Sequence, residues 1–218
     1  MNNILTIGYI CEGKTDRRLL SNIIRKTFEE LAFECKGQIE VYEPEFIASE
    51  GNKFVEKVTS AAKKAKWANI LCVHTDSDSE SDDEAFNFRI NPAFEYVKEE
   101  KGNLCKNLVA IVPIQMSEAW MLADSELLLE EIGANDRRRQ LNLPRQNQIE
   151  RKSDPKSLIE EILRITNDSS GRRRSRLTIS ELYTPISQKI NLDHLKNLSA
   201  FDKFYQNAKK ALVRINYY

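Results

Sequence analysis

Four apolar segments in the first half of the sequence constrain the fold more than any other feature. They are rich in Ile, Val and Leu, have the length of strands, and span residues 4–11, 39–47, 69–74 and 108–114. Segments with apolar side chains at helical spacing follow them, over residues 15–33, 52–67, 92–100 and from Glu118 onward. This alternation predicts a mainly parallel four-stranded sheet flanked by helices, because parallel neighbours need crossover connections.

The sequence also contains signals for element boundaries. Thr15 or Asp16 can cap the first helix, and Ser117 can cap the helix that begins at Glu118. Pro44 lacks an N–H donor, which predicts that the second strand lies at a sheet edge or carries a bulge.

The rest of the chain is predicted to be helical. Residues 131–150 have few large apolar side chains and are expected to form a loop. Helices are predicted over residues 155–165, 178–190, 191–198 and 199–214. We therefore predict an α/β core over residues 1–130 and a helical C-terminal extension over residues 131–218, which can pack with the core as one domain.

Charge is balanced overall but unevenly distributed. The sequence has 33 Lys and Arg against 33 Asp and Glu, so the whole molecule has no general attraction to nucleic acid. Residues 76–84 are acidic, whereas residues 137–139 and 172–176 are basic. Any binding of a polyanion must therefore use local patches.

The sequence favours a cytoplasmic protein without a membrane span. No apolar run approaches the roughly 18 residues that a span needs. The N-terminal segment lacks the basic region of a signal peptide. The four cysteines are scattered, with no spacing typical of a zinc site: Cys11, Cys35, Cys72 and Cys105.

Carboxylates follow three of the predicted strands. Glu12 ends the first strand, Asp76 and Asp78 end the third, and Glu118 follows the fourth. The carboxyl ends of parallel strands meet at one edge of a sheet, where α/β proteins place their sites. Oxygen ligands of this kind suit Mg²⁺ or Mn²⁺, so the pattern predicts a divalent metal site. The alternative is that Asp76 and Asp78 are ordinary turn residues and that Glu118 only stabilises a helix N-terminus.

A second motif competes for the same region. Residues 8–15, GYICEGKT, formally match the phosphate loop G-x-x-x-x-G-K-[ST]. The interior of the segment is apolar and continues the strand instead of offering a nest of amides. Glu12 would also place a negative charge beside the phosphates. These two points disfavour nucleotide binding but leave it open.

Three segments resemble motifs of Toprim domains. CEGKTDRRLL, residues 11–20, is similar to the E-G-x-x-D/E segment, and HTDSD, residues 74–78, resembles the D-x-D segment. VPIQMSEAWMLAD, residues 112–124, is similar to the E-x-W-L-x-A-D segment of a bacterial Toprim-like family. DPKSLIEEIL and FDKFYQNAKKAL also fit that family's outline, so the resemblance covers nearly the whole chain.

The resemblance implies both a fold and an activity. Glu12 matches the Toprim glutamate, Asp76 and Asp78 match the D-x-D pair, and Glu118 matches the acidic residue of the E-A-W segment. Relatives of the family include the nuclease domains of overcoming-lysogenization-defect proteins, topoisomerases and primases. The sequence has no tyrosine in a topoisomerase context and no primase zinc ribbon. Nuclease activity is therefore the Toprim function that the sequence favours.

We therefore predict a Mg²⁺- or Mn²⁺-dependent endonuclease acting on DNA, tRNA or another RNA. Glu12, Asp76 and Asp78 are the predicted catalytic residues, and the same three with Glu118 are the predicted metal ligands. Candidate contacts to substrate phosphates are Lys14, Arg172, Arg173 and Arg174.

The resemblance also suggests partners, because some relatives are encoded beside an ATPase and serve anti-phage defence. An ABC-type ATPase is an expected partner, and self-association into a homo-oligomer is compatible with the sequence. Two alternatives to a nuclease stay open: a non-catalytic Toprim-like regulator of such an ATPase, and a nucleotide-binding protein that uses the Gly8–Thr15 segment.

Overall fold

The four apolar segments form the predicted sheet. The computed structural model describes residues 3–137, 141–169 and 177–218. The strands of the main sheet are β2 (Ile7–Ile10), β4 (Glu45–Phe46), β5 (Ile70–His74) and β6 (Leu108–Ile111). They lie in the order β4-β2-β5-β6, and all neighbours are parallel. The predicted α/β class with a four-stranded parallel sheet is confirmed.

Two short strands form a separate two-stranded sheet. β1 (Asn3–Leu5) and β3 (Ile39–Val41) pair in parallel with each other, so each of the first two predicted strands is interrupted. The first interruption is at Thr6, whose backbone N–H donates to Asn69 Oδ1 at 2.8 Å. β4 follows Pro44 and lies at the edge of the sheet, as expected for a strand next to a residue without an N–H donor.

Helices occupy most of the remaining described residues. They are α1 (Lys14–Phe33), α2 (Phe54–Lys64), α3 (Asp83–Ala85), α4 (Asn91–Glu99), α5 (Glu118–Ala123), α6 (Ser125–Ile132), α7 (Pro155–Ser169), α8 (Ile179–Lys189), α9 (Leu192–Leu195) and α10 (Ser199–Arg214). A π-helix, Phe86–Ile90, joins α3 to α4, and Asn135–Arg137 and Gln146–Arg151 are 3₁₀-helical. Among the described residues, no helix combines the length and apolar character needed to cross a membrane.

Side chains alternate between the two faces of the sheet, and each face has its own apolar cluster. In β5, Ile70 and Cys72 face the cluster that contains α1, whereas Leu71 and Val73 face the cluster that contains α2 and α4. Helices therefore cover both faces. This double burial explains why the strands appear in the sequence as continuous apolar runs instead of alternating patterns.

The C-terminal helices pack on the α1 side of the sheet. α8 lies against α1, and α10 lies against both α1 and β6. Trp120 of α5 contacts Phe201 of α10 edge to face, with ring centroids 5.2 Å apart. Side chains from before and after residue 131 thus belong to one apolar cluster.

Some element boundaries differ from the expectations. α1 begins at Lys14 with Gly13 as N-cap, because the carboxylate of Asp16 folds back onto the Gly13 amide instead of marking the helix start. The chain becomes helical again at Asp83, well before Pro92, because α3 and the π-helix precede α4. The predicted loop over residues 131–150 contains the end of α6 and the two 3₁₀-helices.

The shared apolar cluster predicts that the C-terminal helices and the sheet unfold together. Phe201→Ala removes a fully buried ring from the contact between α10 and α5, so we expect it to lower the free energy of unfolding by about 3–5 kcal/mol. Val213→Ala, on the exposed side of the same helix, is the matched control and should change little. Urea unfolding followed by circular dichroism and by tryptophan fluorescence measures both variants. Two separate transitions, with only one shifted by Phe201→Ala, would contradict the prediction.

Candidate functional site

The carboxyl ends of β2 and β5 lie side by side at the point where the sheet topology changes direction. From β2 the chain passes through α1 and continues to β4, which lies on the outer side of β2. From β5 it passes through α4 to β6, which lies on the outer side of β5, so the two connections run in opposite directions. Ligands of open α/β sheets bind in the crevice outside such a switch point. Residues 11–13 and 75–78 leave the two strands here, so their side chains meet at one edge.

Three side chains form what we call the inner group, which consists of Asp16, His74 and Asp76. One potential ligand atom from each lies within 4.8 Å of the other two. Asp16 and His74 are buried, and the side chain of Asp76 is 18% exposed. His74 Nε2 is 3.3 Å from Asp76 Oδ1, but neither atom makes a hydrogen bond within the described part of the chain. Buried polar atoms without hydrogen bonds are costly, and a bound cation satisfies them.

The charges around His74 and its burial have opposite effects on the pKa of the imidazole. Burial alone would lower the pKa of the imidazole, but Asp76 and the more distant carboxylates raise it above its ordinary value. The neighbouring carboxylates thus favour the charged form of the imidazole relative to burial alone. A metal ion would need the neutral imidazole, whose nitrogen can then act as a ligand.

Asp16 is held in the inner group by two hydrogen bonds. Its Oδ2 accepts from the backbone N–H of Gly13 at 2.9 Å, and its Oδ1 accepts from the hydroxyl of Ser117 at 2.7 Å. A Cβ at residue 13 would lie 2.9 Å from Asp16 Oδ2, so a larger residue there would displace the tip of the Asp16 side chain. Ser117 precedes α5 as expected, but its hydroxyl bonds to Asp16 instead of capping that helix.

A second set of residues, the outer group, surrounds Arg89 at the solvent side of the same edge. Its other members are Glu12, Thr75 and Asp78. The Thr75 hydroxyl donates to Glu12 Oε1 at 2.5 Å and accepts from Arg89 Nη1 at 2.7 Å. The same Nη1 lies 3.8 Å from Glu12 Oε1 and 3.8 Å from Asp78 Oδ2. Asp78 has a φ of 55°, in the left-handed region that Asp tolerates better than most residues.

Glu118 lies beside the inner group and is held by other residues. The phenol of Tyr183 in α8 donates to Glu118 Oε1, and the Ser117 hydroxyl lies 3.5 Å from Glu118 Oε2. Burial raises the pKa of Glu118, and the bond from Tyr183 opposes that shift only in part. This arrangement gives Glu118 a supporting role next to Ser117, and its predicted role as a metal ligand stays a prediction.

The candidate phosphate contacts fall into two groups. Lys14 is exposed at the first turn of α1, two residues from Glu12, where its ammonium group is open to solvent. The predicted contacts Arg172, Arg173 and Arg174 lie outside the described residues. Their predicted role stays a prediction.

The structure gives the segment that matches a phosphate loop a strand conformation in its first half. Gly8, Tyr9 and Ile10 pair with β5, so their backbone groups serve the sheet. Gly8 allows close packing, because a Cβ there would lie 3.3 Å from Ile47. Only residues 11–13 separate β2 from α1, which is too short for a loop that encloses phosphates.

Comparison with known proteins gave no further support for any family. No protein-family model matches the chain, and neither the curated proteins nor the solved structures gave a match. The resemblance to Toprim domains therefore rests on the motifs of the sequence alone.

Sequence reasoning missed several residues of this edge. Asp16 was expected as a helix cap and matches the last position of the E-G-x-x-D/E segment, but it was given no role at the site. Thr75 follows a buried strand and precedes Asp76, and this position in the sequence could have indicated that Thr75 lies at the same edge. Nothing in the sequence around Arg89 or Tyr183 indicated that either would reach this edge.

The unsatisfied atoms of the inner group predict that divalent cations stabilise the protein. Mg²⁺ or Mn²⁺ should raise the melting temperature, because a ligand that binds only the folded state shifts the unfolding equilibrium. Asp76→Asn should lose most of this shift. Glu84→Gln, an exposed residue of the same acidic stretch, is the matched control and should retain it. Thermal denaturation with and without cation provides the measurement, and an equal shift in Asp76→Asn would exclude this site.

Proposed function

We propose that this protein is a Toprim-type phosphodiesterase that uses Mg²⁺ or Mn²⁺ to cleave nucleic acid. The observation that carries the proposal is the arrangement at the switch point. Asp76, which follows β5, and Asp16, in the first turn of the helix after β2, meet there around the buried imidazole of His74, whose Nε2 lies 3.3 Å from Asp76 Oδ1. Oxygen-rich groups of this kind suit hard divalent cations.

The proposal assigns distinct roles to the residues of this edge. Asp16, His74 and Asp76 would hold a cation, with Glu12 and Asp78 as further carboxylate ligands and Glu118 beside them. A bound Mg²⁺ or Mn²⁺ would polarise the scissile phosphate and lower the pKa of a coordinated water. Glu12 is 48% exposed and accepts one hydrogen bond from Thr75, which leaves carboxylate lone pairs free to take a proton from water.

The substrate class and partners follow from the motifs. A phosphodiester suits the exposed ammonium of Lys14, and the basic segment with Arg172–Arg174 would bind further phosphates of DNA or RNA. An ABC-type ATPase partner, a role in anti-phage defence and self-association rest on the resemblance to Toprim-like proteins. A cytoplasmic location is supported by the four free thiols.

Two other functions remain candidates. A non-catalytic Toprim-like regulator of an ATPase would keep the fold and the cation but have no cleavage activity. A nucleotide-binding protein would use residues 8–15, although their strand pairing disfavours it.

Glu12→Gln should abolish most cleavage without unfolding the protein. The substitution keeps the size of the side chain but removes the negative charge and the proton acceptor, so we expect cleavage to fall by a factor on the order of 10² or more. Cleavage of plasmid, single-stranded DNA and total tRNA with Mn²⁺ or Mg²⁺ measures the effect.

Lys14→Ala separates this mechanism from the nucleotide-binding alternative. In a phosphate loop Lys14→Ala should abolish ATP binding and Glu12→Gln should be tolerated. Both variants are assayed for cleavage and ATP binding, with circular dichroism to establish folding. Full nuclease activity in folded Glu12→Gln would exclude the Toprim mechanism.

The basic segment should contribute to binding in a salt-dependent manner. Replacing Arg172 and Arg173 with Gln should weaken binding to all sequences. The slope of log affinity against log salt should flatten by about one unit for each phosphate contact that is lost. Titrations at several salt concentrations measure the slope, and an unchanged slope would show that the segment does not touch the nucleic acid.

A further inference from the structure

Arg89 is the positively charged side chain that lies next to Glu12 and Asp78, the two carboxylates of the outer group. Among the described residues, no other Lys or Arg lies within 4.0 Å of Glu12 or Asp78. Its guanidinium lies between two carboxylates that the sequence predicts as cation ligands. Arg89 therefore occupies the region that a cation held by Glu12 or Asp78 would have to enter.

The contacts of Arg89 hold it in place without a close ion pair. Its hydrogen bonds go to neutral acceptors, which are the Thr75 hydroxyl at 2.7 Å, the Asp76 carbonyl at 2.6 Å and the Ser77 carbonyl at 3.3 Å. Both carboxylates are 3.8 Å away, whereas the pair of Lys203 with Asp82 closes to 2.6 Å. The guanidinium thus neutralises Glu12 and Asp78 through space and keeps donors free for another anion.

The backbone that carries Arg89 is also unusual. Arg89 belongs to the π-helix Phe86–Ile90, a wide helical turn that is rare and found frequently at functional sites. The start of this helix is anchored to α10. Lys203 pairs with the buried Asp82 and lies over the ring of Phe86, 4.9 Å from its centroid. The π-helix thus projects Arg89 from a fixed base towards the strand ends.

Arg89 is 30% exposed at its side chain, and its two carboxylate neighbours are more exposed still. Solvent ions and a substrate phosphate can therefore reach this side of the edge. A guanidinium is a planar donor suited to phosphate oxygens, and it carries its charge at every physiological pH.

We propose that Arg89 acts as a built-in counter-ion for Glu12 and Asp78 and becomes a ligand of the substrate phosphodiester when a divalent cation takes its place. This inference rests on the proposed function. Arg89 and the cation compete for the same carboxylates, because two positive charges at this separation repel. A phosphate that draws Arg89 away frees the carboxylates, so cation and nucleic acid favour each other's binding, as linkage requires.

The test measures Mn²⁺ binding by calorimetry. Arg89→Gln removes the competing charge, so it should bind Mn²⁺ about tenfold more tightly than the wild type, within the usual range of coupling between sites. Arg89→Lys keeps the charge and should stay close to the wild type. Arg25→Gln, in an ion-paired surface site on α1, is the matched control and should also stay close to it.

A second measurement tests the coupling between cation and nucleic acid. Non-cleavable phosphorothioate DNA and RNA strands should each tighten Mn²⁺ binding by the wild type, and Arg89→Gln should lose this coupling. The strand that produces the larger effect identifies the preferred substrate.

The outcomes separate the two proposals. If the wild type binds Mn²⁺ in a manner that depends on Asp76, but Arg89→Gln binds no more tightly and phosphorothioate has no effect, the role of Arg89 is wrong and the metal site stands. If neither protein binds Mn²⁺, both the metal-dependent function and the role of Arg89 are wrong.

Discussion

The parallel pairing of β2 with β5 is the interaction on which the candidate site depends. Its register aligns Ile10 with Val73, so the two strands end at the same level and release their next residues into one crevice. A shift by one residue would turn His74 to the opposite face of the sheet, away from Asp16. The apolar clusters on both faces fix that register, because every side chain of β5 is buried. The chemistry at the edge is thus a consequence of packing in the sheet.

The C-terminal helices also support the site. Tyr183 of α8 donates to Glu118, and the neighbouring Ser117 donates to Asp16, so a chain of hydrogen bonds connects the helical extension to the inner group. Lys203 of α10 anchors the segment before the π-helix through Asp82. These contacts join residues far apart in sequence. The extension also shares an apolar cluster with the sheet.

The sequence allowed the fold to be predicted well and the site only in part. Strands buried on both faces are visible as apolar runs, and α8 and α10 were predicted within about a residue, because both have amphipathic patterns. Glu12 and Asp76 were placed at the correct edge because strand ends are readable from the same runs. Asp16 was matched only as part of a motif and Arg89 was not found, because their positions depend on a hydrogen bond to the backbone N–H of Gly13 and on a π-helix, neither of which has a periodic signal. The acidic residues 76–84 were predicted to form a loop, so the start of α3 at Asp83 was not predicted.

The π-helix has a consequence for how this edge can vary between related sequences. A π-turn contains one residue more than the corresponding α-helical turn, and each residue of an α-helix rotates the chain by about 100°. The extra residue lies between two points whose positions are held by other contacts. Asp82 is held by its ion pair with Lys203, and α4 is held by the burial of Ala93 and Val97. A one-residue insertion or deletion here would therefore change which side chain faces the strand ends, and it would also shift Ile90, which is buried in the apolar cluster on this face of the sheet. Homologues can differ at this edge by the length of a single segment, and alignments that treat such a gap as noise would miss the difference.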